Sequence, residues 1–183
     1  MIGSVTAGRE RAADLAVRKA TAADAGAISR FNQVMALETE GKSLIPERVD
    51  AGVRRLIGEP ALGFYVVAAD ARDGIVGCLL VTQEWSDWRN GLFWWIQSVF
   101  IEAGWRRQGV YRRLYQHVRE LAAADPQVCG FRLYLEKDNA VAQQTYAALG
   151  MAPTDYLIYE QLRPGVRYFS DPGDDLDAGS RPA

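Results

Sequence analysis

Histidine and cysteine are nearly missing from this chain: His117 stands alone, and Cys78 and Cys129 lie far apart. Those residues at those spacings form no metal-ligand pattern, so no metal is expected. Both cysteines fall in apparent strands and read as buried free thiols rather than a disulfide framework. Long apolar runs are missing too. No uninterrupted stretch would cross a membrane, and the N-terminus lacks the apolar centre of a signal peptide. A cytoplasmic location with no membrane partner is therefore the expectation. There is no basic excess: the net charge is −2. Asp171, Asp174, Asp175 and Asp177 against Arg181 concentrate acid at the C-terminal end and leave the rest near neutral. That balance argues against a nucleic-acid partner. Two nucleotide signatures are also absent. No Gly-x-Gly-x-x-Gly occurs. Gly41-Lys42-Ser43 has Ala36 where a Walker turn needs glycine, and it follows a helical segment instead of a strand.

What is present is a soluble-domain composition, 49% apolar and 24% charged over 183 residues. One domain is the expectation at this length, placed at 15–163 between a flexible lead at 1–14 and an acidic tail at 164–183. Within the tail, Tyr168-Phe169 is a candidate for docking. Leu15–Lys19 reads as a strand, and Thr21 with Asp24 as a capping pair. Ile28, Phe31, Val34, Met35 and Leu37 give the next helix an apolar face up to Glu40. Pro46 opens a second helix, which Gly58-Glu59-Pro60 ends. Strands follow at Phe64–Ala69 and Ile75–Glu84. Asn90-Gly91 predicts an antiparallel hairpin into the strand that ends at Ile101. A helix with Val110, Leu114, Val118 and Leu121 on one face comes next. After it come a strand over Val128–Glu136, a helix over Ala140–Leu149, and a last strand near Asp155–Leu162. This order is α+β with a mixed sheet.

The densest chemistry lies between Trp94 and His117. An apolar strand runs into Arg106-Arg107-Gln108-Gly109-Val110-Tyr111 and then into a helix. The first N–H groups of a helix lack i−4 acceptors and face anions favourably. Arg106 and Arg107 add full positive charge. A phosphate-bearing ligand suits such a turn.

Here the chain resembles the GCN5-related N-acetyltransferase (GNAT) family, whose turn reads Arg/Gln-x-x-Gly-x-Gly/Ala. Arg106-x-x-Gly109-x-Tyr111 fits except at its last position, where Tyr111 replaces a small residue. A second motif agrees: Asn139, then Tyr146, then Gly150 closing the helix. The resemblance implies a mixed, mostly antiparallel sheet of six or seven strands flanked by about four helices, with splayed central strands. It implies acetyl-CoA as acyl donor, its pyrophosphate on Arg106, Arg107, Gln108, Gly109, Val110 and Tyr111. Its pantetheine would lie along Val99, Phe100 and Ile101, with the Val99 amide facing the thioester carbonyl. Asn139 would contact the pantetheine, and Tyr146 would protonate the departing thiolate.

An amine acceptor also needs a base. Glu84, near the ends of the central strands, leads; Glu38 and Glu40, at the end of the first helix, are the other candidates. His117 sits within the helix after the turn, away from the reacting end. All five tryptophans lie between Trp85 and Trp105. Trp85 and Trp88 with Glu38 and Glu40 would make an acceptor mouth suited to a cationic amine. The expected function is acetyl transfer to a primary amine of a small molecule or peptide. A non-catalytic acyl-CoA-binding or sensor module is the alternative, and Tyr146 favours the enzyme. Edge-strand pairing leaves a homodimer open.

Overall fold

A computed structural model describes residues 14–135 and 137–170. They divide into two units, one running to Arg132 and resuming at Tyr168, the other spanning Leu133–Arg167. The first holds β1 (Ala16–Lys19), α1 (Ala25–Glu40), α2 (Pro46–Gly58), β2 (Phe64–Asp70), β3 (Gly74–Ser86), β4 (Gly91–Ile101), α3 (Val110–Ala123) and β5 (Val128–Arg132). The second holds α4 (Ala140–Ala148). The sheet order is β1-β2-β3-β4-β5. The first three pairings are antiparallel and β4 with β5 is parallel. No helix among the described residues is long and apolar enough to cross a membrane.

Local chemistry sets most element ends. The Asp24 carboxylate accepts from the Thr21 amide at 2.7 Å, the backward contact of a capping box. It also takes the Arg18 guanidinium at 2.6 and 3.0 Å, and that partner above all holds its carboxyl below the usual range. Gly41, at φ +64, ends α1 in the left-handed conformation. Pro46 occupies the first turn of α2, where its missing N–H costs nothing. Asn90, at φ +46, turns β3 back into β4 as the Asn-Gly pair predicts.

The sheet is buried on both faces across β2 and β3. On one face Tyr65, Val67, Cys78, Leu80 and Phe100 pack with Ile28 and Phe31 of α1 and Val53 of α2. Phe31 and Phe100 meet at 4.8 Å between ring centroids. α3 buries Val110, Leu114, Tyr115 and Val118 and touches β1, β2 and β3. Val34 and Leu37, assigned by periodicity to the apolar face of α1, are exposed; Ala25 and Ala36 take buried places instead.

Four expectations need correction, the last being the burial of Cys129. Among the described residues the sheet has five strands, not six or seven. Residues 155–162 form no strand although they are aromatic and β-branched, because a strand exists only where another backbone pairs with it. β5 stops at Arg132, short of the expected Leu133–Glu136, of which Glu136 lies outside the described residues. Cys129 is exposed on this short strand, while Cys78 is buried and its thiol is pushed up to about 12 by desolvation. The tail residues Tyr168 and Phe169 do dock: the Ile45 amide donates to the Tyr168 carbonyl at 3.1 Å, and Leu44 bridges to Phe169.

Gly63 holds the entry to β2 at φ +137, and a Cβ there would stand 2.1 Å from the Val81 carbonyl oxygen. Gly63→Ala should lower stability by roughly 2–4 kcal/mol, since overpacking and backbone strain each cost about 1–3 kcal/mol. Gly26→Ala, in α1 with open space around it, should raise stability by about 0.5–1 kcal/mol. Urea midpoints of the two variants test this, and an unshifted midpoint for Gly63→Ala refutes it.

Candidate functional site

β5 pairs along its whole length, but only with the first part of β4. Leu92, Phe93, Trp94 and Trp95 pair with Val128, Gly130, Phe131 and Arg132. Beyond Trp95, β4 runs on to Ile101 with β3 along one edge and no strand along the other among the described residues. An unpaired edge presents alternating N–H and C=O groups that an extended ligand can join.

β4 also carries a bulge. Cys78 faces Phe100 and Leu80 faces Gln97, so Ser98 and Val99 together oppose Leu79 alone. Ser98 takes φ +45, a conformation that costs an L-residue roughly 1–2 kcal/mol. Of the positions expected along the ligand, Val99 lies in the bulge. Phe100 sends its ring into the core, and the Ile101 carbonyl accepts from Arg106 Nε at 2.9 Å.

The turn after β4 is pinned at its start by Trp105, which is buried and donates to Asp73 Oδ2 at 3.2 Å. Gly109, at φ +90, is the N-cap of α3, and a Cβ on it would meet nothing within 4 Å. Glycine is needed there for its φ, not for want of room. The first turn of α3, starting at Val110, has N–H groups with no i−4 acceptor within the helix. The two arginines differ. Arg106 Nη2 lies 2.7 Å from Glu38 Oε2, so its charge is shared with α1. Arg107, at φ +61 and exposed, makes no ion pair among the described residues. Gln108 turns its amide onto the Gly104 carbonyl at 2.6 Å. The Tyr111 ring stacks on Tyr115 at 6.1 Å, along the flank of α3. A diphosphate fits such a cradle: helix amides, one free guanidinium and a glycine cap.

On the α1 side of β4, a cavity of about 340 Å³ opens, lined among others by Asn32, Glu40, Arg48, Tyr65, Ser98 and Tyr168. Asn32 Nδ2 donates to the Tyr65 hydroxyl at 3.3 Å, and burial raises the Tyr65 phenol above its ordinary pKa. Asn32 Oδ1 is buried with no hydrogen-bond partner, a condition that costs about 1–3 kcal/mol. Glu40 pairs with Lys42 at 2.7 Å, and Lys42 reaches the Tyr168 hydroxyl at 3.4 Å. None of Asn32, Arg48, Tyr65, Ser98 and Tyr168 was singled out from sequence as a site residue. The one available hint was Asn32, an amide beside Phe31 on a buried helix face whose only other polar residue is Ser29 among those described.

The remaining candidates are scattered. Both oxygens of Glu84 accept from the protein: Arg132 Nη1 lies 2.5 Å from one, and the Trp95 indole N–H binds the other. The Arg132 guanidinium also covers the Phe93 ring at 3.9 Å. Trp85 and Trp88 are exposed at the hairpin end. Trp85 pairs with Leu92, six strand positions before Ser98, or about 20 Å at 3.3 Å per residue. The structure therefore does not bring these tryptophans to Glu40. In the second unit, Asn139 Oδ1 caps α4 by accepting from the Ala142 amide at 3.0 Å. Gly150, at φ +85, closes the helix: its N–H reaches the Ala147 carbonyl and the Met151 N–H reaches that of Tyr146. Tyr146 sits one turn before this cap.

A sequence model described as "Acetyltransferase (GNAT) family" matches residues 31–151. The solved structure of a possible acetyltransferase from Clostridium difficile 630 is 38% identical, with a TM-score of 0.75 over 81% of this chain and 97% of that one. Ribosomal-protein-alanine N-acetyltransferase from Brucella melitensis biovar Abortus 2308 is 13% identical, TM-score 0.63, over 82% and 99% of the two chains. Glucosamine-6-phosphate N-acetyltransferase from Arabidopsis thaliana is 16% identical, TM-score 0.62, over 81% and 99%. At 13% and 16% identity the likeness is one of fold. No curated protein matches the chain in sequence.

The bulge yields its own test. Ser98→Gly should gain about 0.5–1 kcal/mol, because glycine adopts φ > 0 without a Cβ clash. Ser98→Val should lose more than about 1 kcal/mol, because a β-branched residue resists that conformation. Denaturant unfolding of both variants decides; a valine tolerated without loss would mean that β4 is not bulged there.

Proposed function

The chain belongs to the GNAT acetyltransferase family, and from that premise we propose that it moves an acetyl group from acetyl-CoA to a primary amine of a small molecule or peptide by direct attack. The observation that carries this reading is the course of β4. Beyond Trp95 it has no second strand partner among the described residues, it leads into the Gly109 turn, and its bulged Ser98 borders a cavity on the α1 side. One strand thus serves a donor track and an acceptor cavity.

Acetyl-CoA, when bound, supplies an acetyl group activated as a thioester. The amides opening α3 and the Arg107 guanidinium hold its phosphates. Arg106 stays tied to Glu38 and orients the turn. The Val99 amide, in the bulge, donates to the carbonyl oxygen on which negative charge grows as the nitrogen attacks. The N–C bond forms as the C–S bond breaks, and Tyr146 returns a proton to the sulfur. Glu40, on the cavity, takes the proton that the ammonium must lose, through water. Glu84 is assigned to holding the end of β5 against β4, since Arg132 and Trp95 occupy both its oxygens.

Acetyl-CoA should protect the protein against thermal unfolding, by about 2.7 kcal/mol at a hundredfold excess over Kd. Pooled amines should then release CoA thiol in its presence. Tyr146→Phe should slow turnover by about 10²–10⁴-fold while leaving acetyl-CoA protection intact. Protection without CoA release from any amine would indicate a binding module instead, and no protection would sink both readings.

A further inference from the structure

Two stretches of chain far apart in sequence meet beside the cavity on the α1 side of β4. Residues 42–45 join α1 to α2. Residues 168–170 belong to the same unit, although residues 133–167 before them form the other. The contact is built from backbone. The Ile45 amide donates to the Tyr168 carbonyl at 3.1 Å, and the Ser170 amide donates to the Ser43 carbonyl at 2.8 Å. Leu44 faces Phe169 between these bonds as an antiparallel bridge. Ordering a three-residue stretch costs conformational entropy, which contacts of this kind offset.

Side chains hold the same stretch. Lys42 Nζ lies 5.7 Å from the centroids of both the Tyr168 and Phe169 rings and donates to the Tyr168 hydroxyl at 3.4 Å. Its ammonium is itself placed by Glu40 at 2.7 Å. The two rings meet edge-on at 5.0 Å. None of these contacts involves a ligand, so the Tyr168 ring is held in place before anything enters the cavity.

Tyr168 has a special position among the lining residues. Every other one lies between Asn32 and Ser98, and Tyr168 alone comes from beyond β5. The charged lining residues, Glu40 and Arg48, cancel, and Met35, Leu44, Val49 and Val53 give apolar walls. The volume, about 340 Å³, is near the lower end of the range of ligand pockets, so the loss of one aromatic wall changes what fits. We propose that residues 168–170 are a fixed strap completing the acceptor cavity, and that Tyr168 is a specificity-determining residue limiting the length of an amine with a mainly apolar body. A ligand one methylene too long must displace a held ring, and one methylene in a pocket is worth about 10–200-fold in discrimination. The inference rests on the acetyltransferase reading for the word acceptor, but the binding it describes needs no donor.

The test is a series of straight-chain primary amines from ethylamine to decylamine. Binding is read first by calorimetric titration without acetyl-CoA, then as KM with it. Affinity should rise with chain length to a limit and then fall. In Tyr168→Ala the limit should move to longer chains, and the first amine too long for the native protein should bind at least about tenfold tighter. Tyr168→Phe, which keeps the ring and loses only the hydroxyl, should restore the native limit. A strap that merely stabilises the fold would lower the melting temperature of Tyr168→Ala and leave the length limit where it was. That result overturns the proposal, as does the absence of binding by every member of the series. If acetyl-CoA gives neither protection nor CoA release, the enzyme reading fails, yet the donor-free titrations still decide this one.

Discussion

Between Cys78 and Leu80, β3 offers one residue where β4 presents two, and much of the site follows from that mismatch. A bulge of this kind bends the strand and frees backbone groups, but it is stable only if the flanking registers are held. Here they are held by packing. Phe100 is locked against Phe31 on one side of the bulge, and Ile96 and Trp94 are buried on the other. Slipping β4 by one residue would turn Phe100 out of the α1 core and bring Ser98 or Val99 in. Loss of that core contact outweighs the roughly 1–2 kcal/mol stored at Ser98. The core therefore maintains a strained residue where β4 borders the cavity.

Helix α1 connects the two halves of the site in the first unit. Its Glu38 reaches the Gly109 turn through Arg106, while Asn32 and Glu40 line the cavity. Both partners of the Arg106–Glu38 pair are nearly half exposed, so the pair contributes at most about 1 kcal/mol to stability. Its consequence is electrostatic assignment instead. With Arg106 paired to Glu38, Arg107 is the guanidinium left for the proposed phosphate contact.

What could be read from the sequence was what local chemistry writes. The Thr21 cap, the Pro46 start, the Asn90-Gly91 hairpin, the Gly109 cap and the Gly150 stop each depend on a few adjacent residues. The features that stayed hidden are pairwise and distant. The bulge needs the register of two strands, and no glycine marks it. Asn32 and Tyr65 are 33 positions apart, and Lys42 and Tyr168 are 126. The strand expected at 155–162 had the right composition, but composition does not supply a neighbour. The tryptophan cluster misled for a related reason: closeness along the chain put Trp85 beside Glu84, yet β4 carries the cavity about 20 Å away from that end.

Tyr111 shows how a departure from a motif can be absorbed. The resemblance calls for a small residue there, as if bulk would intrude on the turn. The ring instead lies on Tyr115, which meets Phe131 edge-on at 5.8 Å, and Phe131 meets Trp94 at 6.4 Å. These aromatics run from the first turn of α3 to the paired part of β4 and β5. Side chains of helical residues lean toward the N-terminus, so Tyr115 covers the space beside Tyr111 one turn earlier. The bulk is committed to the helix flank, where each aromatic contact adds about 0.5–1.5 kcal/mol beyond its area. The substitution thus ties the turn to the last point at which β4 and β5 are joined. It braces the Gly109 turn from the side, while a Cβ on Gly109 itself would meet nothing within 4 Å.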